Sequence, residues 1–441
     1  MMPYRVLVVD DSPFMRAIVS DLVTKDEQFE VVATAQNGKE AIDAIEAFKP
    51  DAVTMDLEMP VMNGLESLKQ IMSFRPLPVI MLSGISEENT RDTIKALQSG
   101  AFDFIRKPAI DGSVDIDQVG EQLRDKLRIA VLVGRNRLKP EAKKTSRIEE
   151  VVPLNEERLR PRDNPSVKAE LPGAPPRSGG GKSIAKPVSK NSGVSAAHKG
   201  PAAQPVIKKL PPADSSGPVR RSKEAPPPVE PAAAPSATSK PRGSTVFDSI
   251  VLIGTSTGGP KALHEVISSL PPRLKAPVLV VQHMPPNFTR SLAQRLDAFS
   301  AVRVTEAVQG ERVETGSVYI APGGYHMELA KDRNGYYVKL TLDEARNGHR
   351  PSVDVLFESA VQFPELNRHA VIMTGMGSDG AKGMKALRDS GAKTTVAESE
   401  QTCIVYGMPR SAIELGAATN VLPLPRIAGF VVNALSKQGQ H

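Results

Sequence analysis

Two α/β domains of the parallel, doubly wound kind, joined by a long tether, are what this sequence predicts. Three observations carry that expectation. Short apolar runs alternate with helically spaced apolar segments through residues 1–133 and again through 246–441. Residues able to do chemistry collect directly after those runs, where parallel sheets place their sites. Between the two regions, residues 134–245 are rich in Pro, Ala and Lys; from Arg135 to Thr245 the chain holds 19 of its 38 prolines and none of its Phe or Tyr. The whole chain of 441 residues is also longer than one hydrophobic core usually serves.

In the first region the strand-like runs are Arg5–Val9, Val31–Ala35, Ala52–Met55, Val79–Leu82 and Phe102–Ile105. Helical spacing follows each in turn, at Met15–Thr24, Gly38–Phe48, Gly64–Met72 and Thr90–Gln98, with a closing helix over roughly Ile116–Leu132. Five such units predict a (βα)5 domain over 1–133. The segment 134–245 cannot bury enough apolar surface to offset its ordering entropy, so a disordered linker is expected there. In the second region, 246–441, strands are expected at Ser249–Ile253, Val278–Gln282, Val318–Ile320, Tyr337–Leu340 and Ala370–Met373, in a mainly parallel sheet.

Charge is unevenly placed. The formal net charge is +6, yet Arg135 to Thr245 holds 22 Lys+Arg against 10 Asp+Glu, and the remainder 34 against 40. The folded regions are therefore acidic, which argues against nucleic-acid binding. A single cysteine excludes a disulfide framework or a multi-thiolate metal site. No apolar run approaches the roughly 20 residues that span a bilayer, and the N-terminus does not read as a signal peptide. A cytoplasmic protein without membrane insertion is expected.

At the carboxyl ends of the first region's strands stand Asp10-Asp11, Asp56, Ser83 and Lys107. Three carboxylates converging in one cleft repel one another unless a hard divalent cation such as Mg2+ sits among them, and a lysine beside them suits a phosphoryl group. With Val8-Val9-Asp10-Asp11-Ser12, Met55-Asp56-Leu57 through Asn63-Gly64, Ser83 and Phe104-Ile105-Arg106-Lys107-Pro108, this region resembles the receiver domain of two-component response regulators. The resemblance implies Asp56 as phospho-acceptor, with Asp10 and Asp11 beside it as Mg2+ ligands. It further implies Lys107 as the phosphate's partner, Ser83 and Phe104 as the switch, a cis Lys107–Pro108 bond, and a chemotaxis histidine kinase as phosphodonor.

In the second region the strand Ser249–Ile253 runs into Gly254-Thr255-Ser256-Thr257-Gly258-Gly259-Pro260, a G-x-S-x-G turn before a helical pattern. Such a turn exposes a hydroxyl near a helix N-terminus, as a nucleophile requires. Glycine-rich turns also bind phosphate, and on these residues both readings stand, although Pro260 occupies the place of a P-loop lysine. A nucleophilic serine needs a base. Of His264, His283, His326, His349 and His369, strand-end position favours His283; His326 and His349 fall in turn-rich segments with a structural or substrate-side role. For the orienting carboxylate, Asp379 follows a strand, while Asp354 follows Arg350-Pro351-Ser352-Val353 and offers an alternative as a loop organiser.

Together with Gln282-His283-Met284-Pro285, Tyr319 to Gly324, His349 to Asp354 and Met373 to Gly380, this region is similar to the catalytic domain of chemotaxis protein-glutamate methylesterases of the CheB type. That resemblance implies Ser256, His283 and Asp379 as a triad, an oxyanion donor in the backbone near Met376, and no cofactor for the esterase. It implies methyl-accepting chemotaxis receptors as substrate, methanol as product, and deamidation of glutamine as a second activity. In that family the unphosphorylated receiver covers the catalytic cleft. A coil of over 100 residues has an r.m.s. span on the order of 50–60 Å, so weaker basal inhibition is expected here. Two other classes remain on sequence grounds: an output domain that binds without turnover, which an ester-hydrolysis assay separates, and a DNA-binding regulator, which salt-dependent DNA retention would reveal.

Overall fold

The computed structural model describes residues 2–107, 116–138, 240 and 243–436. The first domain runs β1 (Tyr4–Val9), α1 (Pro13–Thr24), β2 (Phe29–Ala35), α2 (Gly38–Phe48), β3 (Ala52–Asp56), α3 (Gly64–Phe74), β4 (Val79–Ser83), α4 (Glu87–Gln98), β5 (Asp103–Arg106) and α5 (Ile116–Leu138). Its five strands form one parallel sheet in the order β2-β1-β3-β4-β5. The central strands are buried on both faces, which is why β1, β3 and β4 read as continuous apolar runs rather than alternating ones. Side-chain caps start the helices that follow: Ser12, Asn37, Asn63 and Ser86 each accept a backbone N–H from three residues on.

The second domain comprises β6 (Ser249–Thr255), α6 (Gly259–Ser268), β7 (Val278–Gln282), α7 (Phe288–Phe299), β8 (Arg303–Glu306), β9 (Ser317–Ile320), β10 (His326–Asp332), β11 (Gly335–Thr341), α8 (Val353–Ser359), β12 (Asn367–Ile372), α9 (Ala381–Asp389), β13 (Thr394–Glu398), α10 (Met408–Glu414), β14 (Asn420–Leu422) and α11 (Leu424–Ser436). Seven strands form a parallel sheet in the order β14-β13-β12-β6-β7-β9-β8. The predicted strand at Tyr337–Leu340 is real but does not belong to it: β10 and β11 form a separate two-stranded antiparallel hairpin. The catalytically suggestive segments all leave β6, β7 and β12, three adjacent strands at the middle of the sheet.

Both edges of the expected linker need correction. Helix α5 continues past 133 to Leu138, carried by an apolar stripe in which Leu127, Ala130 and Val131 are buried. At the other end, Lys240 already holds Asp297, with Nζ 2.7 Å from Oδ1, and Ser244 receives Thr315 N–H at 2.9 Å. An ion pair and backbone hydrogen bonds thus anchor residues that composition assigns to the tether. The rest of that segment, and the expected cis bond at Lys107–Pro108, lie outside the described residues.

The two domains touch directly. Helix α4 packs on α6 and α7. Phe104 stacks on Phe288 with ring centroids 4.5 Å apart. The Thr257 hydroxyl donates to Asp103 Oδ2 at 2.6 Å, and Lys126 Nζ lies 2.7 Å from the same oxygen. Thr90 and Ser291 share a buried hydroxyl pair at 2.8 Å, and Arg295 Nε donates to Gln98 at 2.9 Å. Val405 joins the apolar cluster that contains Leu127 and Val131 of α5.

Candidate functional site

Strand β6 delivers Ser256 one residue past its end. The chain then turns through Gly258, at φ +81°, a left-handed conformation that a side chain resists and where a Cβ would also lie 2.7 Å from Ile404 Cβ. Helix α6 starts immediately after, so the serine stands at a strand-to-helix elbow, with its N–H bound to Thr374 O at 3.0 Å. Parallel pairing sets Thr255 opposite Gln282. The next residue, His283, donates its N–H to Thr255 O at 3.1 Å, and the Gln282 amide holds Ser256 O at 2.9 Å. From β12, Gly375 runs against the elbow: a Cβ there would lie 2.9 Å from Ser256 Cβ. Met376, next in the chain, is partly exposed beside it.

The His283 ring is fixed at one nitrogen only. Its Nε2 is 2.8 Å from Asp379 Oδ2, while Nδ1 is buried and has no hydrogen-bond partner. Since an ionised carboxylate only accepts, Nε2 carries the proton and Nδ1 offers a lone pair. The Ser256 hydroxyl therefore makes no hydrogen bond to the ring in this structure. Asp379 is heavily supplied with donors. Its Oδ2 also receives Val353 N–H at 2.7 Å; Oδ1 receives the Ser352 hydroxyl and the Asn347 amide, both at 2.8 Å, and Asp354 N–H at 3.2 Å. Burial alone would raise this carboxyl, but the His283 hydrogen bond, then Val353 and Asn347, hold it well below the usual carboxylate range.

Asp354 is buried nearby but does not meet the imidazole. It accepts Gly383 N–H at 2.7 Å, inside the first turn of α9, and the Asn347 amide at 3.0 Å. The other histidines separate cleanly. His264 sits edge-on to Phe299, and His369 pairs with Thr394. His326 is not in a turn; it opens β10, with Nδ1 accepting Ser352 N–H and Nε2 against Glu344 O. His349, by contrast, lies flat on His283, centroids 3.8 Å apart and planes 9° off parallel. It does lie in a turn, as expected, and the Asn347-Gly348 dipeptide before it is a strong signal for a tight reversal; its place against His283 was missed from sequence.

In the first domain Asp10 and Asp56 are buried and Asp11 is exposed, with ligand oxygens of all three within 4.8 Å of one another. Lys107 Nζ bridges Asp10 and Asp56 at 2.9 and 2.8 Å. One ammonium against three carboxylates leaves net negative charge, and hard oxygen donors alone line the cluster, so the residues fit a divalent cation such as Mg2+. Burial pushes the Asp56 carboxyl up to about 6, against the pull of Lys107. A cavity of about 580 Å3 lined by Asp11, Leu57, Glu58, Met59 and Asn63 among others opens next to it. Ser83 bonds to Thr93 of α4 at 2.6 Å, and Phe104 points into the second domain.

Comparison with known proteins agrees with this layout. The family model of the response regulator receiver domain matches residues 6–114, and that of the CheB methylesterase matches 251–431. The protein-glutamate methylesterase/protein-glutamine glutaminase of Geobacillus kaustophilus is 38% identical over 441 residues, covering 98% of this chain and 99% of its own. The protein of the same name from Bacillus subtilis is 38% identical over 434 residues, with 98% and 99% covered. The crystal structure of the Thermotoga maritima CheB methylesterase catalytic domain is 45% identical, with 43% of this chain and 99% of that chain covered and a TM-score of 0.42. No helix among the described residues is long and apolar enough to cross a membrane. With a full-length match to such relatives and both signature domains in order, this chain belongs to the family of protein-glutamate methylesterases/protein-glutamine glutaminases that carry a receiver domain.

Proposed function

We propose that this protein hydrolyses glutamate methyl esters on chemotaxis receptors, releasing methanol, and deamidates receptor glutamines, under control of phosphorylation at Asp56. The observation that carries the reading is the half-satisfied imidazole of His283: Nε2 is held by Asp379, and Nδ1 is buried, unpaired and one peptide from the strand pairing that carries Ser256. The Ser256 hydroxyl attacks the γ-carbonyl as its proton passes to Nδ1. The imidazolium so formed is stabilised through Nε2–H by Asp379, which stays ionised. The more familiar arrangement has the two ring nitrogens in swapped roles. Negative charge on the carbonyl oxygen falls to the backbone N–H at Met376, in the segment pressed against the serine. Nδ1–H then protonates the leaving methoxide, which departs as methanol, or the amide nitrogen of glutamine, which departs as ammonia. Water enters and gives a proton to Nδ1 as its oxygen attacks the acyl carbon; Nδ1–H then returns that proton to the departing Ser256 oxygen, leaving a glutamate. This chemistry calls for no cofactor.

In the receiver, the Asp56 carboxylate attacks the phosphorus of a phosphohistidine on the kinase, and Lys107 neutralises the incoming oxygens. Asp10, Asp11 and Asp56 would hold Mg2+, which supplies further charge neutralisation when bound. Ser83 and Phe104 form the switch that reads the phosphoryl group.

Methanol release from methylated receptor, with and without a small phosphodonor, tests the proposal. Ser256→Ala should lower the rate by about 10³-fold or more while Asp56 remains phosphorylated. Asp379→Asn should cost nearly as much, because an amide can donate to Nε2 and so drive the ring proton onto Nδ1, removing the base. Full residual release from Ser256→Ala would refute the assignment.

A further inference from the structure

We propose that His349 is a positioning residue for the esterase reaction: the Arg346–His349 turn lays its ring flat on His283 and fixes the plane in which Nε2 meets Asp379 and Nδ1 is left free. The inference deepens the function proposed above and rests on it. One hydrogen bond at Nε2 leaves the ring of His283 free to swing about its broad terminal torsion. A parallel ring at 3.8 Å and 9° removes that freedom, and such pairs contribute beyond the area they bury.

The turn is built to hold its ring still. Arg346 and His349 exchange backbone hydrogen bonds at 3.0 and 2.9 Å around Asn347 and Gly348, at φ +53° and +78°. Both positive angles mark the two-residue reversal that Asn-Gly favours. The Asn347 amide spans Asp354 and Asp379, so the same turn that carries the ring is tied to the carboxylate the ring must align with. Arg346 holds Glu358 through both terminal nitrogens, and Arg350 donates to Leu342 O and Asp343 O at 2.9 Å. Charge supports the same role. Burial, the His283 ring and Lys126 of α5 lower the His349 pKa to about 4, with Asp379 opposing. A neutral ring at working pH does not repel the imidazolium formed on its neighbour.

The test uses the full-length protein with a phosphodonor. His349→Ala should lower kcat for methanol release by about 10- to 100-fold, the scale of a small misalignment, with KM unchanged. His349→Phe keeps a flat face without ring nitrogens and should restore most of the wild-type kcat. Wild-type kcat in His349→Ala, or equal loss in both variants, would overturn the proposal. Nitrogen-detected NMR of the His283 imidazole gives a readout independent of turnover: the Nε2–H signal should persist in His349→Phe and broaden or shift in His349→Ala. An unchanged spectrum in His349→Ala would also overturn it. If the wild-type protein releases no methanol, the esterase reading falls, and the NMR comparison still decides whether His349 orders the ring.

Discussion

At the scale of single residues, the site separates two titrations that burial would otherwise push together. Asp379 is held below the usual carboxylate range, so its contribution to stability is complete above about pH 4 and is lost only in stronger acid. His349 works over a different window. Its ordinary value of 6.5 falls to about 4 in the folded protein, so between those limits the unfolded chain binds a proton that the native state does not. Unfolding free energy should therefore rise with pH from about 4 to 6.5, and His349→Phe should flatten that part of the profile. Urea midpoints measured at half-unit steps across the window check this. A slope of equal size in His349→Phe would show that other histidines, not this one, set the dependence.

Among the elements, α8 and the loop before it do more for the site than the strands that made it recognisable. Ser352 caps α8, accepting Val355 N–H, and spends its own proton on Asp379, while Val353 and Asp354 contribute backbone donors from the first turn. Ser352→Ala should cost about 1–2 kcal/mol by denaturant unfolding, with a loss of kcat and little change in KM. Unaltered stability would show that water replaces the hydroxyl. Of this support the sequence marked only Asp354, as an organiser of the loop; the rest was not legible, because α8 spans only seven residues and its apolar spacing is too brief to read. The buried strands were legible for the opposite reason: β1, β3, β6 and β7 are mostly apolar and are buried along most or all of their length. Missed strands lack that signature. β8 and β14 are short edges, β10 alternates as half of a hairpin, and β13 begins with two threonines. One of these, Thr395, is buried by bonding Ala417 O. Ser256, His283 and Asp379 could be singled out because each follows a readable strand. His349 and Asn347 could not, since their importance comes from a turn folding back across the sheet end.

For the molecule as a whole, the proposed function requires phosphorylation of Asp56 to act on Ser256 in the other domain. A long tether predicts weak docking of the receiver, since effective concentration falls with linker length. The contacts pull the other way. Asp103 takes the hydroxyl of Thr257, the residue next to Ser256; Lys126 of the same ion pair acts electrostatically on His349; and Phe104 stacks on Phe288, five residues past His283. Helix α4 adds Thr90 against Ser291 and Gln98 against Arg295. That helix is also tied to the Asp10, Asp56 and Lys107 cluster, because Ser83 holds Thr93 at 2.6 Å and Lys107 N–H binds Ser83 O. On the function proposed above, a phosphoryl group on Asp56 would compete for Lys107 and for the Ser83 hydroxyl and so loosen α4 where it meets α7. The interface then shifts by its difference in energy between the two states, and about 1.4 kcal/mol suffices for a tenfold change in the open fraction. Asp103→Ala removes the carboxylate that holds Thr257, next to Ser256, without touching Asp10, Asp11, Asp56 or Lys107. It should raise methanol release by the unphosphorylated full-length protein about 3- to 10-fold and leave the phosphorylated rate unchanged. Phe104→Ala should act in the same direction. Basal rates unchanged in both variants would mean that the docked receiver leaves the site open to substrate, and that the tether, not the interface, sets the resting activity.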